Sequence, residues 1–207
     1  MDFISKIIQG FHLFTNQVYI PKEFDDLDRP ILLHMSDTPE EIYPYLYKVI
    51  EKTLPDYVVH TGDFADNLKM EMVPDLRQRY KEAMKGFVRK MESYPIKKVY
   101  YTLGNHDELW DIIHHLNRGD ARESFTWRLG EYNLYAEHYY RSGLKDVDFY
   151  FYGHSFDPPS HQKEGTQYFN GLEGLRLISL RDGKVFELPY PFGTDGFRKM
   201  DRNYHIL

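Results

Sequence analysis

The sequence predicts an α/β fold built of two stacked β-sheets flanked by helices. Between residues 31 and 103, three apolar strand-like runs alternate with two helix-like segments. From residue 125 to residue 188 the chain changes character and reads as six short strands with few helices between them. Strands alternating with helices favour parallel pairing with right-handed crossovers, and a strand-rich half points to a second sheet packed on the first. A chain of 207 residues can bury a sizeable core. We read it as one domain, residues 1–207, with residues 1–30 as an N-terminal helix and linker packed on the rest.

Each element has its own signal. Phe3, Ile7, Ile8, Phe11 and Phe14 share one side of a helix over the first residues. The charged, proline-bounded stretch from Pro21 to Pro30 then links to a short apolar strand, Ile31 to Ser36. Residues 40–54 carry apolar side chains at 42, 46, 49, 50 and 54, a helical period; Pro44 falls in the first turns, where it is best tolerated. Tyr57 to His60 forms the second strand. Val73, Leu76, Tyr80, Met84, Phe87 and Met91 mark a long amphipathic helix, and Lys98 to Leu103 the third strand. In the second half the strands are 125–129, 132–136, 147–152, 166–169, 175–180 and 185–188, with Asp182-Gly183 in a tight hairpin turn.

Composition excludes several function classes. With no cysteine, thiolate chemistry, disulfides and Cys-bound zinc are all ruled out, which fits a cytoplasmic protein. A formal net charge of −6 argues against broad capture of nucleic acid. No apolar run reaches the roughly 20 residues that cross a bilayer, so no membrane partner is expected. The phenylalanine-bearing first helix hints at self-association into a homo-oligomer.

The chemistry lies where strands end. Asp37, then Asp63, then Asn105-His106-Asp107 follow three successive strands, and ligands of open α/β sheets bind just beyond the carboxyl ends. Carboxylates, an amide oxygen and imidazoles gathered in one crevice call for a cation. Gly62 and Gly104 stand where a sharp strand-to-loop turn needs backbone freedom. Taken alone, Asp37 or Asp63 serves equally well as a helix cap, and Asn105 as a turn residue. His34 and His60, inside strands, read as core histidines. The tyrosine-rich runs 43–47 and 149–152 read as packing.

The series Ser36-Asp37-Thr38, His60-Thr61-Gly62-Asp63, Gly104-Asn105-His106-Asp107 and Gly153-His154 resembles the calcineurin-like metallophosphoesterases. It is most similar to their small phosphodiesterase-like branch, over about Ile31 to Asn170. That resemblance implies a four-layer α-β-β-α sandwich with one or two divalent ions, Mn, Fe, Zn, Ni or Mg. Asp63 then matches the carboxylate that bridges both ions. Asn105, His138 and His154 match the other ligands of the second ion, with Asp37 on the first. His138 is chosen because it follows an apolar strand and precedes Gly153-His154 by a suitable interval; Glu137 and His161 are its neighbours in contention. His106 matches the general acid, with Asp107 orienting it. The implied reaction is hydrolysis of a small phosphomonoester or phosphodiester by a metal-activated hydroxide.

Two positions depart from the family pattern. Pro39 and Phe156 stand where histidines are expected, and both belong to the first ion's site. One reading is a hydrolase whose weaker ion is held by Asp37, Asp63, waters, and Glu40 or His161. A second has one ion supporting slow or specialised chemistry. The alternative to catalysis is a scaffold that keeps one metal and binds a protein partner; the resemblance includes a retromer subunit with an altered site that serves as a binding scaffold.

Overall fold

The computed structural model describes residues 17–70 and 73–200. The helix expected over the first residues lies outside them. The described part of the linker, Pro21 to Pro30, contains a 3-10 turn, Lys22–Asp26. It docks on the body: Phe24 meets Phe186 edge-on at 5.9 Å, and Lys52 donates to the Val18 carbonyl at 2.7 Å.

Eleven strands form in order among the described residues. In the first half these are β1 (Ile31–Met35), β2 (Tyr57–His60), β3 (Lys98–Thr102) and β4 (Asp120–Arg122). Helix α1 (Tyr43–Thr53) joins β1 to β2, α2 (Arg77–Ser93) joins β2 to β3, and α3 (Leu109–Ile113) precedes β4. Both longer helices start later than the apolar period implied, each behind a 3-10 turn (Glu40–Ile42 and Pro74–Leu76). In α1 this puts Pro44 in the first turn, where no helical hydrogen bond needs its missing N–H.

The second half supplies β5 (Ser124–Leu129), β6 (Tyr132–Glu137), β7 (Phe149–Tyr152), β8 (His161–Lys163), β9 (Thr166–Asn170), β10 (Leu175–Ser179) and β11 (Val185–Leu188), then a short helix α4 (Thr194–Phe197). The first sheet runs β11-β10-β1-β2-β3-β4, with β1 to β4 parallel and β10 and β11 antiparallel. The second runs β5-β6-β7-β9-β8, its three central strands parallel. Strands β4 and β8 were not foreseen: three mostly polar residues each carry too little alternation to stand out. The result is an α/β fold of two mixed sheets flanked by helices.

Burial follows the period of each element. One core lies between α1, α2 and the first sheet, around Leu46, Val49, Phe87, Val58 and Leu33. A second fills the space between the sheets, where Leu32, Val59 and Ile178 meet Leu134, Phe149 and Phe151. Strand β7 shows why all four of its rings are buried. Phe149 and Phe151 face the inter-sheet core, while Tyr150 and Tyr152 turn to the opposite face and join Tyr135 and Tyr168.

Asp56 fixes the starts of two strands. It accepts from the Ile31 N–H at 2.9 Å and pairs with Lys97 and Arg29, both at 3.0 Å. Burial raises its pKa, but the N–H and the two cations outweigh that and hold it below the usual carboxylate value. Asp56→Ala is expected to lower stability by about 1–2 kcal/mol in chemical denaturation. A depressed carboxylate stabilises above its unfolded pKa, so the difference should be full at neutral pH. It should vanish as the pH falls through the folded-state pKa. An equal deficit at pH 7 and pH 2.5 would contradict this account.

Candidate metal centre

Five strand ends deliver the chemistry. Asp37, Asp63 and Asn105 follow β1, β2 and β3 of the first sheet; His138 and His154 follow β6 and β7 of the second. Three of these five hold left-handed backbone, Asp37 at φ 49°, Asp63 at 55° and His154 at 67°. A non-glycine residue there is strained, and the sharp turn is what swings each side chain into the gap between the sheets.

The neighbouring glycines matter for different reasons. Gly62, at φ 90°, needs conformational freedom to begin the turn that presents Asp63. Gly104 needs space instead: a Cβ there would collide with the Asp63 carboxylate and sit 2.6 Å from the Asp63 nitrogen.

Four donor atoms converge. His138 Nδ1 lies 2.6 Å from the Thr61 carbonyl, which can only accept, so Nδ1 carries the hydrogen and Nε2 offers a lone pair. That lone pair faces Asn105 Oδ1 at 3.2 Å, His154 Nδ1 at 3.2 Å and Asp63 Oδ2 at 3.5 Å. His154 Nδ1 lies 3.1 Å from the same Asn105 oxygen. Donors about 2.1 Å from a shared ion sit roughly 3.0–3.5 Å apart, and the observed spacings fall in that range. An amide oxygen, a carboxylate and an imidazole lone pair have no proton to share, so a cation is the partner that fits.

The acidic groups carry the same imprint. Burial, with the carboxylates of Asp107, Asp37 and Asp66 close by, pushes Asp63 well above the ordinary carboxylate value. Burial and the nearby His138 lower His154. Anions crowded out of water without a counter-charge behave this way.

Other predicted residues take different places. Asp37 stands outside both groups of convergent carboxylate and imidazole atoms found among the described residues. Its Oδ2 accepts from the Ser36 hydroxyl and from the His154 N–H at 3.1 Å, so it braces the turn that carries His154. The Asp107 carboxylate is drawn to backbone amides and a tyrosine hydroxyl. One of its oxygens accepts from the N–H groups of Asp63 (2.7 Å) and Gly104 (2.8 Å), and the other from the Tyr80 hydroxyl, so it ties two ligand loops together. Glu40 pairs with Arg79 at 2.8 Å, and the His161 ring stacks on Tyr168 at 4.5 Å; neither joins the ligand groups. Glu137, the neighbour of His138, is engaged by the hydroxyls of Tyr135 and Tyr150. His34 and His60 are buried beside threonine hydroxyls, at 3.0 and 2.9 Å.

Sequence reasoning missed Asp66. It is fully buried, one carboxylate oxygen has no hydrogen-bond partner, and its ligand atom lies within 4.8 Å of those of Asp63 and His106. Burial and the Asp37 charge push it up to about 7, against the pull of Lys69. Its position three residues past Asp63, in the same loop, was the available signal. His106 is itself buried; its N–H donates to Asp63 Oδ1 at 3.1 Å, and its Nε2 lies 3.1 Å from the Asn105 amide nitrogen.

Comparison with known proteins is consistent with this geometry. The family model described as calcineurin-like phosphoesterase matches residues 31–203. No curated protein sequence matches the chain. Among solved structures, an archaeal phosphodiesterase is similar with a TM-score of 0.55 and 12% identity, covering 77% of this chain and 99% of its own. A phosphoesterase from E. coli has a TM-score of 0.47 and 18% identity, covering 75% and 96%. At 12% identity the likeness to the archaeal protein speaks for the fold alone.

Proposed function

The chain belongs to the calcineurin-like phosphoesterase family, and we propose on that premise that it hydrolyses a small phosphomonoester or phosphodiester with a divalent metal ion. The convergence of Asp63, Asn105, His138 and His154 on one point carries this reading. An ion held there supplies Lewis-acid polarisation of a phosphoryl oxygen and a more acidic water.

The remaining work falls to the chain. The Thr61 carbonyl fixes the His138 tautomer, and the His106 N–H fixes one Asp63 oxygen, so both donors are set before substrate arrives. His106 is the general acid: as hydroxide forms its bond to phosphorus and the ester P–O bond breaks, the protonated imidazole gives its proton to the leaving oxygen. Asp66, within 4.8 Å, is the carboxylate placed to oppose the imidazolium charge. Oxygen and nitrogen donors without sulfur suit Mn, Fe, Zn, Ni or Mg, and manganese is the first ion to test. We place the protein in the cytoplasm, acting on a small ester rather than on nucleic acid or a membrane, and allow for a homo-oligomer. No helix among the described residues is long and apolar enough to cross a membrane.

Protein loaded with manganese is expected to cleave a generic chromogenic phosphodiester or phosphomonoester, and chelation should remove that activity. A second reading has its own observation: Pro39 and Phe156, where ligands were expected, offer no donor atom. It makes the chain a scaffold with one metal and a protein partner. Absence of turnover with Mn, Ni, Fe, Zn and Mg, over a panel of mono- and diesters, would decide for it.

A further inference from the structure

We propose that Lys69 supplies the cationic pole that the depleted first metal site lacks, so that the chain binds phosphate with one metal ion and one ammonium. This inference rests on the hydrolase reading above and names how its site holds the substrate.

The geometry is local. The Lys69 ammonium forms an ion pair with Asp66, whose carboxylate is fully buried, while the Lys69 side chain keeps 12% exposure. Asp66 in turn groups with Asp63 and His106. The lysine therefore sits one ion pair away from the acid and from the carboxylate shared with the metal centre.

Charge balance gives the lysine a task. Buried carboxylates, Asp63 and Asp66 among them, crowd the space that an anionic ester must approach, and an ammonium beside Asp66 offsets part of that charge. The other buried cation nearby, Arg198, is committed elsewhere. It is fully buried and donates to the carbonyls of Asp37 (2.6 Å), Ser36 (3.1 Å) and Leu172 (3.1 Å). An ammonium has three donors, and the pair with Asp66 leaves donors for a phosphoryl oxygen.

Metal-free protein titrated with Mn²⁺ in a calorimeter is expected to take up one ion per chain, with the electron paramagnetic resonance spectrum of an isolated ion. In the manganese-loaded protein, Lys69→Met should weaken binding of inorganic phosphate by about ten- to a hundredfold, the worth of a charge-assisted hydrogen bond. Its manganese affinity should stay within about threefold of the parent, which also shows that the loop is intact, and Lys69→Arg should recover most of the phosphate affinity. Uptake of two ions with an exchange-coupled spectrum, or a phosphate affinity indifferent to Lys69→Met, would overturn the role of Lys69 and leave the hydrolase standing. A parent chain that takes up no manganese would overturn both.

Discussion

His106→Ala is expected to lower kcat on a chromogenic phosphodiester by about 10²–10⁴-fold, the usual worth of a general acid. Bound manganese should remain. The imidazole is not one of the four converging donors, and the contact that His106 makes with Asp63 comes from its backbone N–H, which alanine keeps. The loss should fall on kcat and kcat/KM together, because the proton is needed only as the leaving oxygen departs. Elemental analysis after dialysis, beside steady-state kinetics, checks both halves. A variant of unchanged rate would remove His106 from the chemistry, and one that loses its metal would recast it as structural.

Gly104→Ala should abolish activity by a different route. The added methyl group would collide with the Asp63 carboxylate and come 2.7 Å from its Cγ, and the loop is already pinned by the Asp107 bonds to Gly104 and Asp63. Something must move, and the Asp63 carboxylate, held by the His106 N–H, stands in the way. We expect manganese affinity to fall by at least about a hundredfold, with a stability cost of about 1–3 kcal/mol from overpacking. Gly86→Ala is the contrast: in mid-α2, with nothing within 4 Å of the new Cβ, it should stabilise by about 0.5–1 kcal/mol. A Gly104→Ala protein that binds manganese like its parent would show that the loop yields freely and that the close approach is unimportant.

Much of this arrangement was legible because apolar runs and polar strand ends alternate so plainly in the first half. Asp63, Asn105, His138 and His154 could be named from the sequence, the last two from strands of the other sheet. What was not legible depended on the direction of side chains within a turn. The resemblance paired Asp107 with His106; that the turn also sends the Asp107 carboxylate to the Asp63 and Gly104 amides shows only in the fold. Asp66 and Lys69 fall in a loop with no periodicity, where only folding shows that one is buried and that the two meet. The short strands β4 and β8 depend on partners for their conformation, not on a pattern of their own.

The donors of the metal centre are divided between the two sheets, Asp63 and Asn105 on one side and His138 and His154 on the other. An ion that binds them also rivets the halves of the sandwich at one rim, where a chain without cysteine has no disulfide to do so. On the proposed metal reading, ion supply sets mechanical integrity too: at free ion a hundred times Kd, the rivet adds about 2.7 kcal/mol against the sheets parting. Starved of that ion, the protein would loosen at this seam.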